Sequence, residues 1–377
     1  MCKNKIKAVS LCTSAGIGEL LLDDLNIEVV VANELIEKRA RVYSHFNPNT
    51  KMIQGDLTEE RIKLGIIEHI SPDVNLLLAT PPCQGLSSLG KNKNQSHFEE
   101  DARNFIIFDI MDIIDIGNFD YILIENVPKF LDMYFPYKGE FFSLTEILND
   151  KYGNEYHIDS RILNAKDYGI SQTRPRAIIK MFKKHLNWDW PETEKEITLR
   201  EAIGHLPSLE SGEDSGIPWH YAKEENERAV LALKHTPTGK SALKNEIYYP
   251  KKKDGSRITG FHNTFKRMTW DQPAHARTTY CGSMSSHNNV HPGYKKADGT
   301  YSDARVLTLL ETFLVSSIPS DINFPDWCTD NFIRTLIGES IPPLMLKKII
   351  LSITGAGVDK VDKSGGREKV DFIQTHE

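Results

Sequence analysis

One cysteine of the chain is placed where it could act as a nucleophile. Ala79-Thr80-Pro81-Pro82-Cys83-Gln84-Gly85 follows directly on the apolar run VNLLLAT. The prolines restrain the backbone and the glycine lets it turn, so the thiol sits on a loop after a strand. A lone cysteine is more often an inert core side chain, but a thiol on such a loop can be ionised and aimed. The other four cysteines, Cys2, Cys12, Cys281 and Cys328, form no CxxC pair. Neither a zinc site nor a disulfide framework is suggested, and free thiols point to a reducing, cytoplasmic compartment.

A carboxyl group issues from a neighbouring strand end. Glu125-Asn126-Val127-Pro128 closes the apolar run FDYILI. It can be an ordinary strand-end acid, yet a thiol paired with an acid has a specific use. Carbon 5 of cytosine is a poor nucleophile until a thiolate adds at C6, and an acid at N3 eases that addition. A third group of residues suits a nucleoside. Ser14-Ala15-Gly16-Ile17-Gly18 joins a first strand to a helix, where glycines let backbone amides approach a ligand. Asn33 and Glu34 end a second strand, where a carboxylate can accept from both ribose hydroxyls. Asp56, in QGDL, is suited to accept from an exocyclic amine. A glycine turn alone signals only tight packing in many proteins; the acids after successive strands favour a ligand.

These residues require a scaffold of strands alternating with helices. KIKAVSLC, IEVVVANE, VNLLLAT and FDYILIEN read as buried strands, and EKRARVYSHF, RNFIIFDIMDII and FSLTEILND as helices between them. The alternation predicts an open, mainly parallel sheet whose ligands lie beyond the C-terminal strand ends. After about residue 180 the periodicity fades into a proline-rich, loop-built stretch. Helices return in VLTLLETFLVSSI and PPLMLKKIILSIT, and no internal repeat is present.

Composition narrows the partners. The net charge is −6, so a nucleic-acid surface must be local; residues 240–277 supply it, with nine cations against three acids. Charge alone allows a solvated lysine loop equally well. No apolar run is long enough to span a bilayer and the N-terminus shows no signal-peptide pattern, so no membrane partner is expected.

In this order PPCQG, ENV, Gln172-Thr173-Arg174-Pro175-Arg176 and Gly338-Glu339-Ser340-Ile341-Pro342-Pro343 resemble the motifs of the cytosine-5 DNA methyltransferases. The likeness includes AGIG, the Asn33-Glu34 pair, GDL, Arg103-Asn104-Phe105, Asn164-Ala165, Asp167-Tyr168-Gly169 and RVLTLLE, and runs from about residue 6 to 355. It implies an α/β, Rossmann-like class I S-adenosylmethionine-dependent methyltransferase sheet with a smaller loop-rich target-recognition domain. The corresponding segments are 1–185 for catalysis and cofactor binding, 186–300 for target recognition, 301–357 returning to complete the catalytic domain, and 358–377 as a polar tail.

By this resemblance Cys83 attacks C6 of a flipped cytosine, Glu125 contacts N3, Asn126 shapes the pocket, and Arg174 and Arg176 line it, with Arg176 the better candidate for O2. S-adenosylmethionine is held by Ser14, Ala15, Gly16, Ile17, Gly18, Asn33, Glu34, Asp56, Leu57, Pro81, Glu339 and Ser340, and no metal is required. Double-stranded DNA meets Gln84, Ser87, Ser88 and Lys91, in a stretch suited to closing over DNA and equally to being an ordinary linker, together with Lys251, Lys252, Lys253, Arg257 and Arg267. The histidine and asparagine cluster at 287–291 reads more readily as turn chemistry than as base readout.

Size resembles prokaryotic or phage modification enzymes, which implies a monomer protecting host DNA beside a separately acting restriction endonuclease. Two positions depart from the family pattern: Ser14 stands where an aromatic side chain usually packs on adenine, and Glu339 where asparagine is usual. Methylation of tRNA, the activity of another branch of the family, is the nearest rival, and the long insert favours duplex DNA. Retention of Cys83, Glu125, Arg174 and Arg176 counts against a noncatalytic DNA-binding homologue. A nicotinamide oxidoreductase, suggested by the glycine turn alone, leaves Cys83 without a task.

Overall fold

The structure, a computed structural model, describes residues 5–82 and 105–354. Seven strands form the main sheet: β1 (Ile6–Leu11), β2 (Ile27–Glu34), β3 (Lys51–Gln54), β4 (Val74–Ala79), β5 (Tyr121–Asn126), β8 (Tyr156–Asn164) and β10 (Pro175–Lys183). Their order is β3-β2-β1-β4-β5-β10-β8. Neighbours among β1 to β5 pair parallel, whereas β10 runs antiparallel to both β5 and β8. Small two-stranded pairs join β6 (Tyr134–Tyr137) to β7 (Glu140–Ser143), and β9 (Gln172–Thr173) to β11 (Ala274–His275).

Continuous apolar runs suit strands buried on both faces. Alternate residues divide between two cores. Val9, Leu11, Leu77, Ile122 and Ile124 pack with Ile107, Ile110, Met111 and Ile114 of the helix Ile106–Gly117 and with the helix Leu144–Tyr152. Ala8, Leu76, Leu78, Leu123 and Ile178 meet Met345, Leu346, Ile349 and Ile350 of the helix Pro343–Ile350. The end of the described chain thereby packs back on the first strand. The helix Glu37–Phe46 coincides with its sequence assignment, whereas the helix within VLTLLETFLVSSI is confined to Leu309–Val315. Thr308 forms a capping box with Glu311, which fixes that start.

The order of strands reverses at β1, whose neighbours are β2 and β4, and ligands of open α/β sheets bind beyond such a switch point. Residues 199–315 build two small cores largely from loops. One contains Leu233, Phe265, Met284, Val290 and Val306; the other contains Leu199, Met268, Trp270 and Leu307.

A buried ionic knot secures this region. All donors of Arg305 are engaged: Nε by Leu209 O, Nη1 by Val306 O and Glu311 Oε2, and Nη2 by Asp303 Oδ1 and Glu311 Oε1, at 2.7–3.0 Å. Asp303 also accepts from Leu209 N and from the hydroxyls of Ser208 and Ser302. His291 lies 3.7 Å from Asp303 and 3.6 Å from Glu311. Buried charges persist where every lone pair and proton is matched.

Candidate active site

The nucleoside crevice is built from three consecutive strand ends. After β1 the backbone enters the left-handed region at Cys12, Ser14 and Gly16, with φ of 56°, 50° and 72°. A Cβ on Gly16 would come within 2.7 Å of the Tyr43 ring, and one on Gly18 within 2.7 Å of Ile341 in the last motif. Close approach, as well as backbone freedom, therefore requires these glycines. Ala15 and Ile17 are buried, anchoring the turn in the core below. Glu19 accepts from the hydroxyls of Ser10 and Tyr43 at 2.6 and 2.7 Å, and burial pushes its carboxyl up to about 7.

Glu34 ends β2 with both oxygens oriented by backbone amides. Its Oε2 accepts from Ser14 N and its Oε1 from Ile36 N, each at 2.8 Å. Each oxygen retains acceptor capacity for a hydroxyl. Asn33 is buried and donates to Ile53 O and Gly55 O, so it shapes the crevice from behind. Leu57 is also in the core, while half-buried Asp56 accepts from Thr58 N and Oγ1 through one oxygen. Ser340 donates its hydroxyl to Leu336 O. Glu339 pairs with Arg39, which stands in no recognisable sequence motif. The oriented carboxylate, the glycine clearance and the acid on the third edge together fit a nucleoside.

Glu125 lies at the C-terminal end of β5 and is 5% exposed. Its cross-strand partner is Ile178 on β10, and Arg176 lies two residues along the same face. Arg176 Nε is 2.8 Å from Glu125 Oε1. Burial raises the Glu125 carboxyl above its ordinary value, and the guanidinium charges of Arg176 and Arg174 only partly offset it. Such a group holds a proton to higher pH than an ordinary glutamate. Beside it, Asn126 Nδ2 donates to Pro81 O at 3.1 Å and Asn126 Oδ1 accepts from Val127 N. One amide thus clamps the Pro81 loop to the Glu125 strand end. Cys83, Gln84, Ser87, Ser88 and Lys91 lie outside the described residues. Among the described cysteines, burial raises the thiols of Cys12 and Cys328, the opposite of what a thiolate nucleophile needs.

Two arginines require correction. Arg174 does not present its terminal nitrogens to a pyrimidine pocket: Nη1 donates to Arg277 O, and Nη2 to Gly338 O and Ser340 O, at 2.7–2.8 Å. It joins the QTRPR segment to the last motif and acts on Glu125 through its charge. Arg267 does not face DNA. It is fully buried and donates to Leu233 O, His291 O and Asp303 O, because the loop-built core needs a multivalent donor for carbonyls that no strand pairs. Lys251, Lys252, Lys253 and Arg257 are exposed, and the three lysines line a cleft with Asn226, Arg228 and Met284. Asn289 and His291 are buried; Asn289 donates to Tyr280 O and Ser283 O, in keeping with turn chemistry.

A doubly wound sheet with one reversed strand carries an acid-lined crevice at its switch point and a buried acid on the adjoining strand end, where open α/β sheets bind their ligands. Residues 6–355 match the family model for C-5 cytosine-specific DNA methylase. The type II methyltransferase M1.HgaI of Avibacterium volantium is 43% identical over 93% of this chain and 99% of its own length. M1.HphI of Haemophilus parahaemolyticus is 24% identical over 90% of this chain and 84% of its own. Among solved structures, a Spodoptera frugiperda DNMT2 variant superposes with a TM-score of 0.61 at 16% identity, covering 93% of this chain and 99% of that one. That likeness shows the shared fold. The chain belongs to the C-5 cytosine-specific DNA methylase family and is a type II cytosine-5 DNA methyltransferase of the restriction–modification kind. Among the described residues no helix is long and apolar enough to cross a membrane.

Proposed function

We propose that the chain uses S-adenosylmethionine to methylate a cytosine flipped out of a specific duplex sequence, with Cys83 as nucleophile and Glu125 as the acid at N3. The observation that carries this reading is the buried Glu125 carboxyl, held beside Arg176 and clamped through Asn126 to the loop that leads into Cys83. The Cys83 thiolate adds to C6 while Glu125 hydrogen-bonds or protonates N3, so negative charge does not accumulate in the ring. When bound, the cofactor supplies an electrophilic methyl group to C5. Loss of the C5 proton to a base and expulsion of the Cys83 sulfur restore the aromatic ring. Arg176 keeps the Glu125 carboxyl in place and is positioned to meet O2.

Glu34, Asp56 and the backbone of residues 14–18 hold the nucleoside part of the cofactor. Residues 186–300 face the DNA, with Lys251, Lys252, Lys253 and Arg257 gripping phosphates. The product protects DNA from a separate endonuclease of matching specificity, and the enzyme works as a cytoplasmic monomer.

Duplex carrying 5-fluorocytosine at the target position tests the chemistry, because fluorine cannot leave C5 as a proton does. A stable covalent adduct mapped to Cys83 is expected in the presence of S-adenosylmethionine and absent in Cys83→Ala. Failure to form it at the correct site removes the nucleophile assignment. Glu125→Gln should lower single-turnover methylation by about 10²–10⁴-fold while leaving duplex affinity intact.

A further inference from the structure

The two positions at which this chain departs from its family pattern touch each other. Ser14 Oγ donates to Glu339 Oε2 at 3.3 Å. Arg39 meets Glu339 Oε1 through Nη2 at 2.5 Å and lies with Nη1 3.9 Å from Glu34 Oε1. It occupies the first turn of the helix Glu37–Phe46, where side chains lean toward the helix N-terminus and here back over the end of β2. The Arg39 and Glu339 side chains are only 23% and 18% exposed. Burying a second carboxylate near Glu34 is costly, and the asparagine usual at this position avoids that cost. Leu35 and Ile36, between Glu34 and the helix, nevertheless remain 50% and 43% exposed. The crevice lip therefore combines uncovered apolar side chains with a guanidinium bound to Glu339 and 3.9 Å from Glu34.

We propose that the guanidinium plane of Arg39, held by Glu339 and Glu34, supplies the flat face on which the adenine of S-adenosylmethionine rests, in place of the aromatic ring that Ser14 lacks. The inference rests on the cofactor reading above. A guanidinium is planar and weakly hydrated and stacks on π-faces, whereas a lysine ammonium is a strongly hydrated point charge. Glu339 acts as a positioning residue: it fixes the plane and offsets a positive charge that would repel the sulfonium. Ser14 leaves the volume that the longer arginine requires and steadies Glu339.

Calorimetric binding of S-adenosylmethionine and of adenosine to the DNA-free protein tests this without reference to turnover. Arg39→Ala should weaken both ligands about tenfold. Arg39→Lys should weaken them comparably although charge is retained. Ser14→Phe combined with Arg39→Ala should recover most of the loss by returning an aromatic face. If Arg39→Lys binds both ligands within twofold of the parent, or if the double variant binds no better than Arg39→Ala, the stacking role is overturned. Loss confined to S-adenosylmethionine, with adenosine unaffected, also overturns it, since that result marks an effect on the charged tail. Circular dichroism of each variant establishes folding; should Arg39→Ala not fold, the Arg39→Lys comparison decides alone. If the parent binds neither ligand, the cofactor reading itself fails, and the inference with it.

Discussion

Two arginine–carboxylate clusters in this molecule have similar chemistry and different surroundings. Arg305, with Asp303, Glu311 and His291, is sealed: every guanidinium donor has an acceptor, and the four side chains are at most 3% exposed. Arg39, with Glu34 and Glu339, stands at the crevice lip with one side uncovered. The sealed cluster joins Leu209, Asp303 and Val306 to the helix Leu309–Val315, replacing strand pairing in a region that has little. The lip cluster joins the end of β2 to the helices Glu37–Phe46 and Asp330–Glu339, elements whose backbone bonds are already made. Similar ion pairs therefore serve cohesion where backbone partners are scarce, and ligand contact where the backbone is already secured.

The largest expected effect separates the two clusters directly. Arg305→Ala leaves two carboxylates buried without their counter-ion and should cost about 3–5 kcal/mol of unfolding free energy. Arg39→Ala takes the cation from two carboxylates that are less completely enclosed and should cost less, about 1–3 kcal/mol. Urea unfolding of both variants checks the contrast. Comparable losses would show that the lip cluster is as structural as the sealed one.

Acid should find the same difference without mutation. Burial and the charge of Arg305 depress His291 from 6.5 to about 4. Between those values the unfolded chain binds a proton that the folded chain does not, so stability falls as pH drops through this window, by about 3 kcal/mol. Burial raises the Glu311 carboxyl, but the charges of Arg305 and His291 outweigh it and depress the group from 4.5 to about 2, which adds a loss in the same direction below its unfolded value. His291→Gln should remove the upper part of this acid limb and leave the part that Arg305 imposes on Glu311, as measured by unfolding temperature from pH 7 down to about pH 2.

Features set by a single element are legible in the sequence. Apolar runs bounded by polar motifs identified β1, β2, β4 and β5, and their order placed Gly16, Glu34 and Glu125 at strand ends. The ladder that sets Arg176 beside Glu125 depends on β10 running against β5, which composition does not encode. Arg267 suggests a phosphate contact because it lies within a basic segment, whereas its burial follows from carbonyls contributed by distant loops, Leu233, His291 and Asp303. Arg39 is silent in the sequence for a related reason. It lies in an ordinary charged helix, and the departures at Ser14 and Glu339, 325 residues apart, became one feature only when the chain brought them together.

That correction yields the smallest expected effect. Lys251, Lys252 and Lys253 line a cleft open to solvent, whereas Arg267, in the same basic stretch, spends its donors on carbonyls. Phosphate contacts release condensed counterions, so each one steepens the salt dependence of binding by about one in log–log slope. Replacing the three lysines by alanine should flatten the slope by about three and weaken target and random duplex alike, because phosphates carry no sequence. Arg267→Ala should instead lower the unfolding temperature and leave the salt slope of the remaining folded protein unchanged. An unchanged slope in the triple variant would move the phosphate grip away from this cleft; a flattened slope in Arg267→Ala would mean that the sealed core opens on DNA.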